Sequence, residues 1–97
     1  MAIGSELPPS IQHLLNRGAL RRIDDGEFVI DGLRHRQRSW MGWTTVIYEL
    51  RIEEDDDGRA YYEIVEQTES LGDETVDCWQ DPDDAACWIE QMLEEGV

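Results

Sequence analysis

The apolar positions of this chain follow two periods, and the change from one to the other marks its elements. Near the N-terminus Ile11, Leu14 and Leu15 recur at helical spacing after Pro8-Pro9, a pair suited to a helix start, and Gly18 is a natural stop. So short a helix is marginal alone and must dock on something. The helical rhythm is strongest at the other end, where Ala85, Trp88, Ile89, Met92 and Leu93 form one apolar stripe. Asp81 reads as the N-cap and Pro82 as the first residue, with Asp83 and Asp84 in the first turn. Glu90, Glu94 and Glu95 take the outer side, and Gly96 follows the end.

Between the helices the period is two, punctuated by Asp-Gly pairs that favour tight hairpins. A two-residue turn at Asp25-Gly26 pairs Ile23 with Phe28 and Arg21 with Ile30, and Asp31-Gly32 supplies another turn. Residues 33–39 alternate, with Arg34, Arg36 and Arg38 on one face and His35, Gln37 and Ser39 on the other. The glycine in Trp40-Met41-Gly42-Trp43 predicts a bend or bulge. Residues 44–53 and 59–67, rich in β-branched and aromatic side chains, predict the central hairpin. A two-residue turn at Asp57-Gly58 sets Asp56 opposite Arg59, Ile52 opposite Glu63, Leu50 opposite Val65 and Tyr48 opposite Gln67. The core face then carries Val46, Tyr48, Leu50, Ile52, Tyr61 and Val65. The other face mixes Ile47, Arg51, Tyr62 and Ile64 with Glu49, Glu53 and Glu66.

Residues 68–74 read as a loop, and residues 75–79 as a short strand with Val76 and Cys78 on one side. The sum is a single α+β domain over residues 1–97. It has a short N-terminal helix, an antiparallel sheet of about four to six strands and a C-terminal amphipathic helix packed on one face.

Composition narrows the function classes. The chain has 97 residues, 40% hydrophobic and 32% charged, with a mean hydropathy of -0.57. It shows no secretory leader and no long apolar run, so a cytoplasmic protein is expected, of the source cell or of an infected host. A net charge of -15 makes the chain as a whole a poor ligand for nucleic acid or membrane. All eight basic residues are Arg, a trait of GC-rich genomes or halophiles. The charge is also divided: residues 1–52 carry seven Arg against six acids, and residues 53–97 carry seventeen acids against Arg59. A halophile's acidic coat is spread evenly, whereas uneven charge points to an interaction surface.

Candidate chemistry is sparse. Cys78 and Cys87 make no disulfide framework and are expected as buried small hydrophobes, and no metal site or cofactor is expected from them with His13 and His35. The acidic run 53–57 has Ile64 where a calcium loop needs a bidentate Glu. No nucleophile, zinc or phosphate-loop motif occurs, so no catalytic residues are assigned and a non-enzymatic protein is expected, with an unrecognised carboxylate dyad as the enzymatic alternative. Residues 14–31 resemble the last helix and wing of a winged-helix domain, without the helices that precede them there.

What stands out is a carboxylate cluster: Asp73, Glu74, Asp77, Asp81, Asp83, Asp84, Glu90 and Glu94. Such a row resembles a phosphate backbone in charge and would attract a basic, nucleic-acid-binding protein with fast, salt-sensitive association. In size and charge the chain resembles DNA-mimic inhibitors of the anti-restriction and anti-CRISPR kind, from phages or mobile elements. The alternative is a salt-adapted domain that binds nucleic acid or protein through Arg34, Arg36, Arg38, Trp40 and Trp43. These arginines could instead pair with the acidic half, within the molecule or across a homodimer.

Overall fold

The computed structural model describes residues 7–69 and 72–95. Its two α-helices lie where the periodicity places them: α1 spans Pro9–Asn16 and α2 spans Pro82–Glu95. The Asp83 N–H donates to Asp81 Oδ1 at 2.9 Å, so Asp81 caps α2. Gly96, the expected stop, lies outside the described residues.

Six antiparallel strands connect the helices: β1 (Arg21–Asp24), β2 (Glu27–Val29), β3 (His35–Ser39), β4 (Gly42–Glu54), β5 (Ala60–Thr68) and β6 (Gly72–Trp79). The sheet order is β1-β2-β4-β5-β6, with β3 also paired to β4. The long β4 makes this possible. Its residues Glu49–Arg51 face β2, and Gly42–Val46 face β3 on the same edge. A single 3-10 turn at Asp31–Leu33 carries the chain between those two partners. The result is an α+β fold with both helices on one face of the sheet.

That face is the core. Ile11 and Leu14 of α1 and Ala85, Ala86 and Ile89 of α2 pack with Phe28, Leu33, Val46, Leu50 and Ile64, and Trp79, Trp88, Met92 and Leu93 close its rim. Gly26 is required where it stands. Its φ is +72°, and a Cβ there would lie 2.9 Å from the Ile52 carbonyl oxygen.

Strand register departs from expectation in both Asp-Gly hairpins, through a longer loop in one and a bulge in the other. The two-residue turn of the favoured hairpin type needs positive φ at both positions. All positive-φ residues among those described are glycines, so Asp25 and Asp57 do not adopt it. At the second hairpin the loop is Asp56-Asp57-Gly58, closed by the Asp55 N–H donating to the Arg59 carbonyl at 2.9 Å. The Asp55 carboxylate accepts the N–H groups of Asp57 and Arg59, which fixes the turn. One extra loop residue slides β5 by one position, so Ile52 faces Tyr62, Leu50 faces Ile64 and Tyr48 faces Glu66.

A one-residue slip exchanges the faces of a strand. Tyr62 and Ile64 therefore belong to the core, with Glu66 beside them, and Tyr61 and Val65 point away from the helices. In the first hairpin Asp24 does face Glu27, but Ile23 bulges out, 43% exposed, and Phe28 meets Arg22 rather than Ile23. Arg21 meets Val29 rather than Ile30.

Of the bend or bulge expected at Trp40-Met41-Gly42-Trp43 the chain makes the bend, a full reversal at Trp40-Met41 that closes the β3–β4 hairpin with Ser39 opposite Gly42. The Ser39 hydroxyl accepts the Met41 N–H and donates to the Gly42 carbonyl, which stabilises it. Strand β6 begins at Gly72, so Asp73 and Glu74 are paired strand residues rather than loop. The register shifts between Thr75 opposite Val65 and Asp77 opposite Ile64, so Val76 is a bulge that interrupts its alternation with Cys78.

Both cysteines are exposed, contrary to expectation. Cys87 falls off the apolar stripe of α2, and Cys78 sits opposite Glu63 on the helix-free face of the outer strand. Burial and the neighbouring carboxylates of Glu63, Asp77 and Glu53 push the Cys78 thiol above its ordinary value.

Candidate functional site

The eight acids singled out by the sequence are all exposed. The fold distributes them over the two faces of β6, the start of α2 and the groove between the helices. Asp73 lies on the helix-free face, where Arg51 Nη2 donates to its Oδ2 at 3.2 Å. Glu74 and Asp77 lie on the helix side of β6, opposite Glu66 and Ile64. Asp81, Asp83 and Asp84 surround the start of α2. Asp83, Glu90 and Glu94 come together along the groove between α1 and α2, with Ser10 and Gln91 between them. Glu90 is 3.7 Å from Arg17.

The arginines of the alternative edge are not neutralised by this half. Arg34 follows the 3-10 turn and lies near Asp31. Asp31 is held below the ordinary carboxylate range chiefly by its hydrogen bond from Arg21, at 2.9 and 3.0 Å to its two oxygens. Arg36 and Arg38 form no ion pair among the described residues. By strand alternation Arg36, Arg38 and Trp43 share the helix-free face, and the Arg36 guanidinium lies 5.6 Å from the Trp43 ring centroid.

The large apolar side chains here are exposed to an unusual degree: Trp40 90%, Met41 68% and Trp43 61%. The sequence pointed to both tryptophans and missed Met41. The available signal was that residues 32–48 contain no Asp or Glu, in a chain where 23 of 97 residues are acidic.

The helix-free face holds a second feature the sequence did not disclose. Glu49 is 5% exposed, flanked by Val29 and Val65 on the neighbouring strands. Arg51 Nε donates to Glu49 Oε1 at 3.2 Å, so one guanidinium joins Glu49 to Asp73. Burial opposes the charge on Arg51, but its hydrogen bonds to Asp73 and Glu49 outweigh that and hold it above its ordinary value.

All three tyrosines are also perturbed; burial and then the Asp81 carboxylate raise Tyr62 above its ordinary value. Burial and then a 2.6 Å hydrogen bond to Glu66 push Tyr48 up to about 12. A 2.5 Å hydrogen bond to Glu53 does the same for Tyr61, also to about 12. Each neutral phenol is favoured in the folded state relative to the unfolded chain. Their contribution is therefore complete below pH 10 and is lost as pH rises from 10 toward 12. Denaturation midpoints should fall across that window, and Tyr48→Phe should flatten the fall; a flat wild-type profile would contradict the assignment.

The cleft at the far end of the sheet, about 580 Å³, is lined by Leu7, Pro8, Arg22, Asp25, Ile52, Glu53 and their neighbours, with no Cys, His or Ser among them. Among the described residues no group of three or more His, Cys, Asp or Glu could hold a metal ion. No helix among them is long and apolar enough to cross a membrane. No known protein family, curated protein or solved structure matches the chain. Fold and surface define an α+β protein with an acidic body and a basic, aromatic hairpin.

Proposed function

We propose that this chain is a non-enzymatic protein-binding module that docks its acidic half on a basic, nucleic-acid-binding protein and blocks it. Inhibitors of the anti-restriction and anti-CRISPR kind work in this manner. One observation carries the reading: eight exposed carboxylates sit on a paired strand and a capped helix, and among the described residues only Asp73 and Glu90 have an Arg partner. Uncompensated charge on rigid elements presents a fixed negative field without the ordering cost of a flexible tail. The field steers a basic partner, and screening by salt weakens it.

The test is capture of partners from lysate of the source cell or its host, with competing DNA and with raised salt. A nucleic-acid-binding protein that both treatments release is the expected result. Charge reversal at Glu74, Asp84 and Glu94, whose side chains have no partner among the described residues, should abolish capture and leave the fold intact. Asp81 is unsuitable for this purpose, because removing an N-cap costs about 1 kcal/mol of stability by itself. Capture that DNA does not compete, or that survives the charge reversal, would refute the proposal. No capture, from a protein that unfolds at low salt, would make the acidity an adaptation to brine.

A further inference from the structure

We infer that the β3–β4 hairpin is a binding site for single-stranded nucleic acid, a role separate from that of the acidic half. The pairing of β4 with β5 begins at Val46 opposite Thr68, so beyond it, among the described residues, β3 and β4 continue as a two-stranded ribbon. Gly42 lies four residues past Val46, which carries the ribbon about 13 Å beyond the body of the sheet. Its tip is Trp40-Met41, and Trp43, Arg36 and Arg38 lie side by side on one face just behind it.

Each component matches what a single strand offers. Exposed indoles give unstacked bases a π-face, and guanidinium groups that form no ion pair among the described residues are available to phosphates. The Trp43 ring already accepts Arg36 against it, so stacking and charge meet at one place. A duplex hides its base faces, so it can use the arginines but not the tryptophans.

The opposing term is the net charge of -15. Its reach decides the matter. The Debye length is about 8 Å at physiological ionic strength, shorter than the extension of the ribbon, and residues 32–48 contribute no carboxylate of their own. Repulsion from the body is thus screened at the tip and at Arg38 and Trp43, about 10 Å out, whereas Arg36, opposite Thr45, lies within a Debye length of the body. This predicts an uncommon salt profile. Affinity should rise from low salt as body repulsion is screened, pass through a maximum, and then fall as counterion release loses its driving force.

The experiment is fluorescence anisotropy of fluorescein-labelled oligo(dT) and oligo(U), with a duplex as control, from about 0.01 to 1 M KCl. Binding with a maximum at intermediate salt, weaker for the duplex, is expected. Trp40→Ala/Trp43→Ala should weaken it at least ~10-fold. Arg36→Gln/Arg38→Gln should reduce the high-salt slope by about 1.4. These side chains are exposed, and circular dichroism would verify that both variants stay folded; the arginine pair serves if the tryptophan pair does not. Absence of binding at every salt concentration, or equal binding by the variants, overturns the inference. So does sedimentation that shows self-association abolished by the tryptophan substitutions, because the ribbon would then cover a second copy of the chain.

Discussion

Ile64→Ala is expected to lower stability by about 2–5 kcal/mol, measured as a shift of the urea midpoint at unchanged slope. Ile64 is fully buried between the central strands and the helices, so truncation leaves a cavity lined by Leu50, Ile89 and their neighbours. Domains of this size are stable by about 5–15 kcal/mol, so this one change removes a large share. The same experiment reports the strand register. With a two-residue turn at Asp57-Gly58, Ile64 would instead take the half-buried place opposite Arg51 that Glu63 holds, away from the helices, and truncation there would leave no core cavity and cost much less. A small effect would therefore count against the three-residue loop and against the assignment of Tyr62 and Ile64 to the core.

Arg51→Met should cost nearly as much, about 2–4 kcal/mol, although Arg51 is partly accessible. The loss comes from Glu49. Its carboxylate is flanked by Val29 and Val65, with 7% of its side chain exposed, and Arg51 is the cation that compensates it. Removing one member of a buried ion pair strands the other, which costs about 3–5 kcal/mol when burial is complete. Arg51 keeps 23% of its side chain exposed, which places the expectation at or below that range. The pair itself contributes little beyond a well-packed apolar substitute, so Glu49→Leu/Arg51→Met should recover most of the loss. A double variant no more stable than Arg51→Met alone would show that Glu49 is not the stranded charge.

These residues also mark where sequence reasoning succeeds and stops. Helix α2 was legible because its signals agree: a cap at Asp81, Pro82, early acids and one apolar stripe. The strands were legible as strands, because β-branched and aromatic runs between Asp-Gly pairs have few other readings. Their register was not. Asp-Gly marks a turn without stating how many residues enter it, and that single residue decides whether Tyr61 or Tyr62 meets the core. The start of β6 was hidden for a related reason: Gly72-Asp73-Glu74 has loop composition, and only pairing with β5 extends it.

Burial of the cysteines was inferred from residue type, and the true determinant was position relative to the stripe of α2 and the covered face of the sheet. The two candidate surfaces stood differently. All eight carboxylates could be named from composition, but not their division between the two faces of the sheet and the helix groove. Trp40 and Trp43 could be named as an edge, whereas their exposure depends on β4 having, among the described residues, no strand but β3 beside it at residues 42–45.

The last strand of the sheet has a further consequence, for the life of the protein in a crowded solution. An outer strand with unpaired backbone groups is a template for another chain's strand, and ordered addition of that kind is how fibrils grow. β6 carries Asp73, Glu74 and Asp77 along its length and is broken by the bulge at Val76. A second copy laid against it would bring a row of carboxylates beside an identical row, and the kink would spoil the ladder between them. Like charge along β6 and the bulge at Val76 thus both oppose the addition of an identical strand at that margin.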